Sequence, residues 1–242
     1  MKKIILTIVL FVGYNSICQS QTESVKPKSF ISILGGYSKM GGDIIKTEYS
    51  ENSSGFSNAN GYLIGLDGGY SLTKNVGLCG SFSMNRFNSS GLDILASGYV
   101  DDFEVEYITL NVKGNYSFYN LMVGPYFQFP FNKFVADFKL TAGMVYAKTP
   151  EYQVDIEDQT DATFYQRSAT SLGLGSQIGI GLRYSFTDKI GLKLNADYLY
   201  TKPSFQFENV NRLNNAGRLV SSYSPTITQL NLSLGIIYQF GK

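Results

Sequence analysis

The chain has 242 residues, enough for one domain, and its formal net charge of +1 gives no reason to expect a nucleic-acid partner. The 25 glycines, 18 tyrosines and 17 phenylalanines, set against 16% charged residues, make a β-rich profile. Histidine is absent, so no Ser-His or Asp-His device can be built, and most routes to a hydrolase or acyltransferase are closed.

The N-terminus, MKKIILTIVLFVGYNSICQSQ, has a basic start at Lys2 and Lys3, an apolar core over residues 4–12, then polar residues. That order reads as a secretory signal peptide, too short to span a bilayer as a helix, and it is assigned residues 1–20 with a single domain over 21–242. Cys18 offers an alternative, cleavage that leaves a lipidated cysteine, although Ile17 is bulky where a small residue is expected. If Cys18 leaves with the signal, Cys79 is the only thiol, and neither a disulfide framework nor a cysteine metal site can form. No cofactor is expected.

From residue 29 onward apolar and polar residues alternate in segments separated by long and short connections. The first strand is expected over 30–40, followed by a Ser/Asn-rich loop to residue 59. The second, 61–72, puts Tyr62, Ile64, Leu66 and Tyr70 opposite Gly65, Asp67 and Gly69, and Thr73-Lys74-Asn75 turns it into a third strand from Val76. A long connection spans 88–102. Residues 103–131 read as one strand whose membrane part is 118–129 and whose upper part projects outside, with a bulge expected at Gly124-Pro125 because proline cannot donate to a ladder. After a tight turn at Asn132, strand five carries Phe134, Ala136, Phe138 and Leu140 against Asp137, Lys139 and Thr141. Then come a long loop over 149–167, a hairpin over 176–200 turned by Thr187-Asp188-Lys189, a loop over 203–224 and a last strand over 229–240. The expected fold is all-β, an eight-stranded antiparallel up-and-down transmembrane β-barrel with four long outer loops and three short periplasmic turns.

Alternation alone does not say which face is inside. The polar parity is crowded with glycine (Gly65, Gly69, Gly179, Gly181, Gly235), a poor choice for a solvated surface but suited to a narrow lumen that must accommodate a few long charged side chains. The apolar parity ends in aromatics at both strand ends, as interfacial girdles do. The polar face is therefore placed inward, and with it Asp67, Asp137, Lys139, Arg183, Lys193 and Asp197, three acids and three bases. Facing lipid near the midplane, any of these would cost up to ~2 to 4 kcal/mol, so an inward, mutually paired network is the expectation.

The small outer-membrane β-barrel proteins of Gram-negative bacteria, the OmpA-type barrels, are what the mature chain resembles. The resemblance lies in GLRYSFTDKIGLKLNADYLYTKPSF, in LMVGPYFQFPF and in the C-terminal LNLSLGIIYQF, which looks like the family's assembly signal although Gly241 and Lys242 follow its closing aromatic. It implies an exported protein of the cell outer membrane. The expected function is non-catalytic: a structural or surface-interaction role through the outer loops, with the lumen closed by paired charges. A narrow gated channel for small ions or solutes and a soluble, exported lipocalin-like binder are the alternatives. Outer-membrane lipid is the expected partner of a monomer, and the acidic cluster Glu151, Asp155, Glu157, Asp158 and Asp161 is a candidate, without EF-hand spacing, for holding a divalent cation or bridging to lipopolysaccharide.

Overall fold

Strict alternation needs a partner on both sides of every strand, and closure supplies it. The computed structural model describes residues 28–47, 56–156, 163–211 and 219–241, so the expected signal segment and Cys18 lie outside the described residues. The strands are β1 (Ser29–Gly42), β2 (Ser57–Ser71), β3 (Val76–Ser89), β4 (Ile108–Lys113), β5 (Tyr116–Phe131), β6 (Phe134–Lys148) and β7 (Glu151–Ile156). They continue with β8 (Thr163–Gln166), β9 (Thr170–Ser185), β10 (Ile190–Thr201), β11 (Phe205–Asn211), β12 (Leu219–Tyr223) and β13 (Ile227–Phe240), and one α-helix, α1 (Leu92–Phe103), precedes β4. Eight of them close a barrel in the order β1-β13-β10-β9-β6-β5-β3-β2, all pairs antiparallel, with β1 joined to β13 from Ser29↔Phe240 to Gly42↔Ile227. No backbone edge is left for lipid to meet unsatisfied.

Two of the short turns share a device. Thr73 Oγ accepts the Val76 N–H at 3.1 Å, and Thr187 Oγ accepts the Ile190 N–H at 3.0 Å, so a threonine directly after an outward side chain, Leu72 or Phe186, closes each hairpin. Asn132 closes the third with φ +55, a left-handed conformation that asparagine tolerates.

The apolar parity faces outward. On β9, Ile180 is 61% exposed while Arg183 is 1% exposed, and the same contrast runs around the barrel. A continuous apolar belt with charges inside is the reverse of a soluble lipocalin-like barrel, and that alternative is set aside.

Two expectations are corrected. Residues 103–131 are not one strand: α1 ends at Phe103, β4 is separate, and Gly114, at φ +88, turns the chain into β5. Nor does Gly124-Pro125 form a bulge. Pairing with β3 runs unbroken through Leu78↔Pro125 and Cys79↔Gly124, and pairing with β6 skips these two residues and resumes in the same register. Proline leaves a gap in the ladder, worth ~1 kcal/mol, rather than an inserted residue. Gly124 permits the close approach there, since a Cβ would stand 2.1 Å from the Leu140 carbonyl oxygen.

The long connections carry structure of their own. β12-β11-β8-β7-β4 form a five-stranded sheet at the end of the barrel opposite the short turns. Leu95 and Tyr99 of α1 pack with Phe56, Ile108, Tyr152, Val154 and Ile156 in a core separate from the barrel's. In β7 the buried residues Tyr152, Val154 and Ile156 alternate with Glu151, Gln153 and Asp155, ordinary strand chemistry within the stretch expected to be a long loop over 149–167.

Candidate functional site

The barrel interior is layered. Nearest the short turns, Arg183 on β9 grips Asp137 on β6 with two bonds, Nε at 2.8 Å and a terminal nitrogen at 2.7 Å, and that terminal nitrogen also reaches Gln128 at 2.9 Å. Its guanidinium lies 4.3 Å from the Phe30 ring centroid, and Lys193 Nζ lies 4.2 Å from the same centroid. Phe30 also packs with Tyr126 and Cys79, which places Cys79 in an apolar cluster at this level.

One level up, Lys193 on β10 reaches across the lumen to Asp67 on β2 at 2.5 Å. Lys139 on β6 sits 2.9 Å from Asp197 on β10 and 3.8 Å from Asp67. Ser32 donates to Asp67, as does Asn195 at 3.3 Å. All six charges are buried and each touches an opposite charge, so four walls of the barrel are tied through side chains.

Glycine makes this reach geometrically possible. In register, Gly179 stands between Lys139 and Asp197, and Gly181 between Asp137 and Asn195. A Cβ on Gly179 would lie 1.9 Å from an Asp197 carboxylate oxygen and 2.6 Å from Lys139 Cε, so the ion pair occupies the space that a side chain on β9 would fill.

Above the charges lies an amide and hydroxyl layer that sequence reasoning missed. Ser38 donates to Asn231 at 2.6 Å, Asn85 donates to Asn231 at 2.8 Å, and Asn120 donates to Asn85 at 3.1 Å and to Gln229 at 3.3 Å. A cavity between this layer and the charges, lined by Asp67, Lys139, Asp197 and Asn231, has a volume of about 20 Å³, roughly room for one water. Toward the outer end the interior becomes apolar: Met40, Phe87, Phe118, Val145, Leu199, Phe205 and Phe207 form one buried cluster, which Met122, two residues nearer the short turns than Asn120 on β5, extends downward. The signal was present in the inward parity itself, which changes from Lys193, Asn195 and Asp197 to Leu199 along β10, and from Lys139 and Thr141 to Val145 and Ala147 along β6.

The acidic residues expected to act together are partly separated. Glu151 and Asp155 lie on β7, Glu151 at 3.9 Å from Lys113 and Asp155 accepting from Asn111 at 3.2 Å and Gln153 at 3.0 Å, while Glu157, Asp158 and Asp161 lie outside the described residues. Among the described residues no three His, Cys, Asp or Glu side chains come together in a metal-binding group. Arg167 pairs with Glu208 at 3.0 Å, joining the third long connection to the fourth. At the outer end Asp43 accepts the Thr226 N–H at 3.0 Å, and Lys46, then that N–H, hold its carboxyl below the usual carboxylate range.

A family model described as outer membrane protein beta-barrel domain matches residues 20–240. No curated protein matches the sequence. Among solved structures, the chain is similar to Ail, the attachment invasion locus protein of Yersinia pestis, at 18% identity and TM-score 0.45 over 88% of this chain and 99% of that one. It is similar to the outer membrane protein OprG of Pseudomonas aeruginosa at 11% identity and TM-score 0.45, over 92% and 100%. A major outer membrane protein from Thermus thermophilus gives 12% identity and TM-score 0.49, over 88% and 98%.

Proposed function

The chain belongs to the outer membrane protein beta-barrel domain family, and from that premise we propose that it is a non-catalytic protein of the outer membrane whose lumen stays shut and whose outer sheet makes the contacts. The observation that carries this reading is the filled interior. Paired charges, an amide layer and an apolar cluster succeed one another along the lumen. The outer sheet, with its own core, offers a shaped surface where unstructured loops would not. The chain has no histidine, and the six interior charges are held by one another and by Ser32, Gln128 and Asn195.

The test is single-channel conductance of the refolded protein in a planar bilayer, alongside a Lys139→Ala/Asp197→Ala variant that removes an ion pair whole. Single removal would strand a buried charge at a cost of ~3 to 5 kcal/mol. Silence from both proteins supports the closed barrel. Steady conductance of the parent, raised in the variant, would instead make the charge network a gate and the protein a narrow channel.

A further inference from the structure

Strand register arranges the outward side chains of β3, β5, β6 and β9 in rows of increasing height. Phe82, Leu121, Met144 and Leu174 make one row, all exposed and apolar. Met84, Tyr119, Tyr146 and Leu172 make the next, and Arg86, Ser117, Lys148 and Thr170 the one above. Successive rows are two residues apart, ~6.6 Å along the strand, so the surface passes from hydrocarbon-like through aromatic to cationic within the depth of a headgroup region.

At this height the surface is concave. A cleft of about 530 Å³ is lined by Arg86, Lys113, Ser117, Tyr119, Lys148 and Glu151 among others. Arg86 and Lys148 flank Ser117 from the two neighbouring strands, ~9 to 10 Å apart, and Lys113, the last residue of β4, stands beside them. Three cations face one carboxylate, Glu151, which lies 3.9 Å from Lys113. Among the described residues neither Arg86 nor Lys148 pairs with a carboxylate. Arg86 stands in register beside Tyr62 of β2, and among the described residues its buried Nε has no hydrogen-bond partner.

We propose that this cleft binds the phosphorylated headgroup of an outer-leaflet lipid, with the acyl chains lying against the apolar row of Phe82, Leu121 and Met144. Phosphate suits the donor set, because guanidinium and ammonium groups form their strongest hydrogen bonds to such oxyanions. Tyr119, which lines the cleft, belongs to the row that leads down into the apolar belt, and this continuity favours a lipid over a free anion. The inference does not depend on whether the lumen conducts.

The test is native mass spectrometry of the folded protein in neutral detergent with three probes: phosphorylated lipid A, the same lipid enzymatically dephosphorylated, and inorganic phosphate. Phosphorylated lipid A should be retained about tenfold better than the dephosphorylated form, the scale of one charge-assisted hydrogen bond. Arg86→Gln/Lys148→Gln should abolish that preference, and Lys74→Gln, at the short-turn end of the barrel, should leave it intact. Lys148→Gln alone, at a strand end, carries the same test at reduced amplitude should the double variant fail to fold. Equal retention of the two lipid forms, or a preference that survives loss of both cations, would overturn the proposal. Inorganic phosphate bound as tightly as the lipid would overturn the lipid as its source.

Discussion

Gly179 shows how much of the interior rests on an absent side chain. Its two in-register neighbours, Lys139 and Asp197, meet across the strand that carries it, and a Cβ would fall within 1.9 Å of the carboxylate. Gly179→Val should therefore either expel the ion pair or distort β9. Overpacking costs ~1 to 3 kcal/mol and a parted buried pair ~3 to 5 kcal/mol. The expected outcome is a clear drop in the denaturant midpoint of the refolded barrel, whereas Gly35→Val, on the outward face with nothing within 4 Å, should change it little. Equal midpoints would mean that the pair is not held as described. The six charges were legible from parity alone, because a charge on the lipid face is so costly. Their partners were not, since Lys193 and Asp67 are 126 residues apart and meet only because the barrel closes. The Ser38, Asn85 and Asn231 cluster was equally hidden, for small amides read simply as polar lumen lining.

Among the elements, the barrel strands and short turns could be read in the sequence because lipid on one side and lumen on the other enforce a period of two. The outer sheet could not, because its strands are short and partly acidic. β7 alternates over only six residues, EYQVDI, and β4 over six, ITLNVK. Their pairing depends on how four loops converge, which no local pattern records. Tyr152 couples this sheet to the barrel: it is buried against Tyr116, with the two hydroxyls 2.8 Å apart, and its hydroxyl lies 3.3 Å from Ser89 Oγ. Val154 lies deeper in the sheet's own core, fully buried. Val154→Asp would bury an unpaired carboxylate there, at a cost of several kcal/mol. Because the barrel has a separate core and ladder, the variant should keep the barrel folded, with its gel shift on heating unchanged, while external protease cuts the chain within residues 104–170. A variant that loses the gel shift as well would show that sheet and barrel fold as one cooperative unit.

At the scale of the whole molecule the lumen holds two barriers in series, and barriers in series behave differently from either alone. The charge layer occupies the half nearer the short turns, the apolar cluster the half nearer the outer sheet. An ion crossing the first would exchange partners along fixed charges, but crossing the second means losing hydration among phenylalanines and methionines, where a bare charge is far more costly. Removing one barrier leaves the other limiting, so the Lys139→Ala/Asp197→Ala barrel should remain silent even though its charge layer is loosened. A Phe118→Ser/Met122→Ser barrel should be silent too, because its ion pairs, beside a cavity of about 20 Å³ below the amide layer, stay intact. Only the four-fold combination should conduct in a planar bilayer, at a level well above the sum of the two parents. Conductance from the first pair alone would show that the apolar cluster yields to water. From the second alone, it would show that the ion pairs exchange readily enough to pass ions, and the closed barrel would become a channel held shut from one end.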